Sequence, residues 1–302
     1  MAWALMPGVT LTQLRLGSKL PSLRNPLPSR ERVIGKDALL TYETIRLDIA
    51  DGVATITLNR PDRLNAAPPQ MFDEIRDVLD GAQEKGIRAL LITGEGRAFC
   101  SGADLQGRDG ESPITGGARA KAALTASYNP TMVALSQAPI PIVTAVNGPA
   151  AGIGCSLALA GDFVLAGKSA YFLQAFVNIG LVPDGGATWM LSRLVGKARA
   201  MEMMMLGERI PAEKAESWGL IYKAIEDAVL MEEARLLAAR LAAGPTFALG
   251  LMRKGIADAL EQDYAAAMAA EAARQNKAGD SEDAAEGTAA FLQKRKAEFK
   301  GR

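Results

Sequence analysis

Polar and apolar residues alternate along ETIRLDIADGVATITLN, residues 43–59, on both sides of Asp51-Gly52. Alternation puts every second side chain on one face, and Asp-Gly tolerates the positive φ of a tight turn, so a β-hairpin is predicted. The period then lengthens. In PPQMFDEIRDVLDGAQEKG, residues 68–86, Met71, Ile75, Val78, Leu79 and Ala82 recur at helical spacing, with prolines at the start and Gly86 at the end. IRALLIT (87–93) and IPIVTAV (140–146) are short, nearly all-apolar runs of the kind covered on both faces of a sheet, and DFVLA (162–166) is a third. Strand and helix therefore alternate, which predicts parallel pairing through crossover helices. A helix is expected over Ala118–Leu135 with a kink or break at Pro130. From Val229 onward the chain is rich in Ala, Glu, Lys and Arg at helical period, which predicts packed helices without strands. The division this implies is an N-terminal extension (1–38), an α/β core (39–225) and a helical C-terminal section (226–302).

Composition adds mainly exclusions. Lys+Arg and Asp+Glu are equal at 34 each in 302 residues, so no long-range field gathers nucleic acid or an anionic membrane. No run reaches the ~18 apolar residues of a membrane span. The two cysteines, Cys100 and Cys155, are too few for a disulfide framework, which fits a reducing compartment; they read as small core residues. Cytoplasm is the expected location. The first 36 residues carry six Arg and Lys against one acid, Glu31. They read as a loosely docked arm, or as a transit segment that would put the protein in the mitochondrial matrix.

Histidine is absent altogether. That removes Ser-His-Asp and Cys-His catalysis and His-ligated zinc within one chain. A general acid or base must then be Asp, Glu, Lys, Tyr or Cys.

Two glycine-rich stretches follow predicted strands. GEGRAFCSGADLQ (94–106) lets the backbone approach a ligand, although an ordinary strand-to-helix turn has the same composition. A dinucleotide fingerprint fails there because Phe99 stands where a third glycine is needed. NGPAAGIGCSLALAGD (147–162) opens a helix with small residues, and N–H groups at a helix start are unpaired and partially positive. A third stretch, GLVPDGGAT (180–188), places Asp184 between a proline and two glycines. Asp184 suits either the cap of a helix beginning near Gly186 or a reacting carboxylate.

These stretches, with NRPDRLNA, FVNIGLVPDGGATW and FLQKRKAEFKG, resemble the enoyl-CoA hydratase/isomerase, or crotonase, superfamily over residues 40–302, in family order and spacing. The resemblance implies a spiral of ββα units with parallel strands, an acyl-CoA thioester substrate, no metal and no cofactor beyond the CoA of the substrate. It implies an oxyanion hole from the backbone N–H groups of Ala103 and Ile153, CoA contacts along Ala103, Asp104, Leu105 and Gln106, an acyl pocket bounded by Phe176, and Lys294 reaching the CoA phosphates. A homotrimer or dimer of trimers is implied too, with the C-terminal section as its oligomerisation surface and CoA lid.

The departures carry as much weight. The two glutamates that activate water in hydratases of this family fall at Ser156 and Phe176 here. Neither residue is a carboxylate base. An acid at the position of Asp184 resembles the proton shuttle of phenylacetate-type ring-epoxide and enoyl-CoA isomerases, which SYNP (127–130) also resembles. A carboxylate beside Phe176, Ile153 and Trp189 would be partly desolvated, a better base for it. The leading expectation is an isomerase shifting a double bond, or opening a ring epoxide, through a thioester enolate, with Asp184 as shuttle. Alternatives are hydratase-like chemistry, nucleophilic attack by Asp184 as in dehalogenases or hydrolases, and an inactive acyl-CoA-binding scaffold.

Overall fold

The computed structural model describes residues 42–105 and 115–302. The predicted extension, and Gln106 among the expected CoA contacts, lie outside these residues.

Strands β1 (Ile45–Ala50) and β2 (Val53–Leu58) form the predicted antiparallel hairpin. Asp51 and Gly52 take φ of 51° and 77°, the left-handed pair that lets a two-residue turn follow the strands' twist. Helix α1 (Pro69–Asp80) leads to β3 (Ala89–Gly94), parallel to β2. The crossover from β3 to β4 (Ile142–Val146) contains α2 (Gly116–Ala123), a π-helical turn (Leu124–Tyr128) and α3 (Asn129–Gln137). Pro130 sits where α3 continues from the π turn, and the expected break appears as that wider turn, which accommodates the bond the proline cannot make.

After β4 come the short β5 (Ala150–Ala151), α4 (Ile153–Ala158) and β6 (Phe163–Gly167). β7 (Tyr171–Leu173) and a 3-10 turn (Ala175–Ile179) precede α5 (Ala187–Leu194) and α6 (Gly196–Met201). β8 (Ile210–Pro211), α7 (Ala212–Ser217) and β9 (Lys223–Ile225) complete the strands, giving a six-stranded sheet β1-β2-β3-β4-β6-β9 and a three-stranded sheet β5-β7-β8. Beyond the hairpin, every pairing in the large sheet is parallel.

Its two faces serve different cores. Leu90 and Ile92 point into the main core with Phe72, Phe99 and Val146. Leu91 points the other way, with Val143, Ala145 and Leu165, onto α8 (Leu230–Ala242). There Ala234 and Ala238, four residues apart, let the helix lie close to the sheet.

Three further helices, α9 (Thr246–Ala259), α10 (Tyr264–Gly279) and α11 (Glu282–Leu292), make up the strand-free end. Two arginines pin it to the core. Arg253 donates to Asp162 at 2.6 Å and to the Leu135 carbonyl at 3.0 Å. Arg88 donates to Thr246 Oγ1, the Gly244 carbonyl and the Phe299 carbonyl. Asp162, the first residue of the DFVLA run, is thus a clamp: its carboxylate accepts from Ile142 N–H at 2.7 Å as well. Of the methionine-rich stretch 200–206, Met203 is buried and Met205 exposed, so only part of it is core. No helix among the described residues is long and apolar enough to cross a membrane.

Candidate functional site

The site is built where β3 and β4 hand the chain to their loops. NRPDRLNA (59–66) follows β2: Leu64 and Asn65 are both left-handed, a conformation Asn tolerates better than most residues. Fully buried Asn65 reaches across to the carbonyls of Glu95 and Ala98 at 3.0 and 2.8 Å. That ties residues 60–67 to the glycine-rich stretch after β3.

The orientation of the Ala103 peptide follows from its neighbours. Ala67 N–H donates to the Gly102 carbonyl at 2.8 Å, and Asp104 N–H donates to the Ala67 carbonyl at 3.0 Å. In a planar trans peptide N–H and C=O point in opposite directions. The Ala103 N–H therefore points away from Ala67. Tyr128, in the π turn, donates its hydroxyl to that same Ala67 carbonyl at 2.8 Å and so braces the arrangement.

A second peptide obeys the same rule. The Gly152 carbonyl accepts from Cys155 and Ser156 N–H at 3.0 and 3.2 Å, inside the first turn of α4. The Ile153 N–H must then point out of that turn. Gly152 lies at φ 53° and ψ −128°, which only glycine adopts readily.

The two turns meet. A Cβ built on Gly152 would lie 3.8 Å from Gly102 Cα and 3.7 Å from Phe176 Cζ, and one built on Gly102 would lie 3.3 Å from the Ala151 carbonyl. Closer still, a Cβ on Gly154 would fall 2.5 Å from the Cys100 carbonyl oxygen and 2.6 Å from its Sγ. Gly154→Ala is therefore expected to lower stability by about 1–3 kcal/mol through overpacking, measured by denaturant unfolding; an unchanged midpoint would refute the packing.

Asp184 joins this cluster from the far side. Gly185, at φ 60°, presses on α4 so closely that a Cβ there would lie 2.3 Å from Ile153 Cδ1 and 2.9 Å from Ser156 Cβ. Asp184 is partly buried, and Ser156 Oγ donates to its main-chain carbonyl at 3.0 Å. The cap position of α5 is Gly186, so Asp184 is not that cap.

The fold thus brings together the Ala103 and Ile153 peptides, Phe176, which is 8% exposed, and Asp184. Trp189 does not belong with them. Its indole N–H donates to Glu261 and Arg193 lies over its ring at 4.1 Å, which turns it toward the C-terminal helices. Asp104 is committed to Arg60 at 2.7 Å and Arg63 at 3.6 Å, a clamp between the two loops. Leu105 is exposed. Lys294 is exposed on the turn after α11, at φ 56°, and no described contact links it to Ala103 or Ile153.

Burial pushes the thiol of Cys100 up to about 11 and that of Cys155 up to about 12. Both are protonated near neutral pH and supply no thiolate nucleophile. The sequence reading missed Tyr128 and Ser156 as braces. SYNP marked the first only by resemblance, and Ser156 stood out only as a missing glutamate.

The family model for enoyl-CoA hydratase/isomerase matches residues 48–302. The chain belongs to the enoyl-CoA hydratase/isomerase family. It is 44% identical over 263 residues to a "probable enoyl-CoA hydratase" of Rhodobacter capsulatus, covering 87% of this chain and 100% of that one. It is 42% identical over 265 residues to the 1,2-epoxyphenylacetyl-CoA isomerase of Escherichia coli, covering 86% and 99%. An enoyl-CoA hydratase from Bacillus anthracis superposes with a TM-score of 0.80 at 31% identity, over 86% of this chain and 100% of that one. The expected crotonase fold is therefore the fold found, and the protein is an acyl-CoA enzyme of this family. Both hydratases and an isomerase stand among these relatives, so the family alone leaves the reaction open.

Proposed function

We propose that the protein is an enoyl-CoA isomerase in which Asp184 shuttles a proton. On a 3-enoyl-CoA, the Asp184 carboxylate takes a proton from the α-carbon. The electron pair moves into the thioester, leaving a dienolate oxygen held by the N–H groups of Ala103 and Ile153. The same carboxyl returns the proton at the γ-carbon, so the double bond shifts into conjugation and no atom is lost. A ring-derived acyl group, including a ring epoxide, is the alternative substrate, and the likeness to a 1,2-epoxyphenylacetyl-CoA isomerase supports it.

One observation carries the reading: the turn bearing Asp184 rests directly on the Ile153 turn. By resemblance, the hydratase glutamate positions fall at Ser156 and Phe176, and neither is a carboxylate. Phe176 beside Gly152 gives the acyl group an apolar wall. Leu105 and Lys294 are assigned to the CoA arm of the substrate, as is Gln106. No cofactor beyond that CoA is needed. A homotrimer is part of the proposal, supported by large exposed apolar side chains on the C-terminal helices, including Tyr264, Phe291 and Leu292.

Turnover of a 3-enoyl-CoA in deuterium oxide tests the reaction. Conjugated product with less than full solvent deuterium at the γ-carbon, because one carboxyl carries the substrate's own proton, supports the shuttle. A covalent adduct on Asp184 would establish nucleophilic catalysis instead, net addition of water would establish a hydratase, and acyl-CoA binding without turnover would establish a scaffold.

A further inference from the structure

Three hydroxyls in other helices bond only within their own turn. Thr125, Ser192 and Thr288 each donate to the carbonyl four residues earlier, at 2.8, 2.9 and 2.8 Å. This is the usual outlet for Ser and Thr inside a helix. Ser156 instead joins Ser127, which donates to Asp73 Oδ2 at 2.9 Å, and Thr131, which donates to the Phe72 carbonyl at 2.8 Å, in reaching another segment. Fully buried in α4, Ser156 has the Gly152 carbonyl within the same reach of sequence, yet it donates to the Asp184 carbonyl, 28 residues away, at 3.0 Å. That carbonyl also accepts Ala187 N–H at 3.1 Å, so both anchors of the turn, α4 and the start of α5, converge on one oxygen.

Ser156 lies three residues after Ile153, on the same side of the short helix. Gly185 packs on both of them, with no room for a side chain. One rigid turn therefore sets the Ile153 N–H and the backbone of Asp184 relative to each other.

We infer that Ser156 is a positioning residue: its hydroxyl locks the Asp184 turn to α4 and so fixes the distance between the base and the oxyanion-binding N–H. The inference rests on Asp184 being the base.

The test is steady-state isomerisation of a 3-enoyl-CoA by Ser156→Ala, by Ser156→Cys, which keeps the shape but donates weakly, and by each combined with Asp184→Asn. Loss of the anchor is expected to lower kcat about tenfold or more, since small misplacements of a reacting group are costly. KM should stay within about twofold, and neither change should slow the residual rate of Asp184→Asn further. Ser156→Cys should fall in the same direction, which keeps the test available if the alanine variant fails to fold. A kcat for both variants within about twofold of wild type, while Asp184→Asn abolishes turnover, would overturn the inference and leave the isomerase reading intact. Losses that multiply with Asp184→Asn, or that move KM equally, would overturn it as well, by reducing Ser156 to a general packing role. Full turnover by Asp184→Asn alone would remove the base itself, and the inference with it.

Discussion

Asp184→Asn is expected to lower kcat for isomerisation by about 10²–10⁴, the range over which a positioned general base accelerates proton transfer. Asparagine has nearly the same shape and can still accept a hydrogen bond, but it cannot hold a proton between two carbons. The backbone contacts of the position, from Ser156 Oγ and Ala187 N–H to its carbonyl, are untouched by the change. Thermal unfolding should therefore move little while turnover collapses, and the affinity for the acyl-CoA substrate should persist. The measurement is the rise in conjugated-thioester absorbance on a 3-enoyl-CoA, alongside a melting curve. A variant that stays within a few-fold of wild type would remove Asp184 from the chemistry.

The second large effect is expected at a peptide. Ile153→Pro removes one N–H and leaves the chain able to enter α4, because proline suits the first position of a helix. Gly152, already held in a conformation reserved for glycine, precedes it and adds no side chain to clash with the ring. If the Ile153 N–H holds the enolate oxygen, kcat should fall by about 10²–10³, the cost of losing one oxyanion donor. Ground-state binding of acyl-CoA, read by calorimetry, should change far less, because the donor matters most when charge has developed. Ile153→Val is the control. It keeps the N–H and the β-branch and loses only Cδ1, the atom that faces Gly185, so it should retain activity within about tenfold. Equal losses in Pro and Val variants would mean that the side chain, not the amide, was being measured.

Periodicity carried much of the architecture. The hairpin at Asp51-Gly52, the apolar strands and the strand-free C-terminal end could be read directly, because a strand covered on both faces needs an unbroken apolar run and a surface helix needs a stripe. Pro130 announced an interruption but not its form, since proline blocks one hydrogen bond without dictating whether a π turn or a kink absorbs the loss. Trp189 illustrates the limit of proximity in sequence. Five residues from Asp184, it faces Glu261 and Arg193 instead, because α5 carries it round toward helices that no local pattern could place.

The chemistry divides along the same line. By itself the sequence determined which groups were available: no imidazole, only two thiols, no glutamate at 156 or 176, and an acid on a glycine-flanked turn. Residue type alone bounds acid–base chemistry, so these exclusions needed no coordinates. Direction was decided only in the tertiary structure. Whether the Ala103 and Ile153 amides face outward depends on which partners take the Gly102 and Gly152 carbonyls, and Ala67 lies 35 residues before Gly102 in the chain. The seat of Asp184 depends likewise on Ser156 and Gly185, brought together by packing. A peptide plane has no preferred heading in an isolated strand of sequence; it acquires one when a distant donor or acceptor claims its other end.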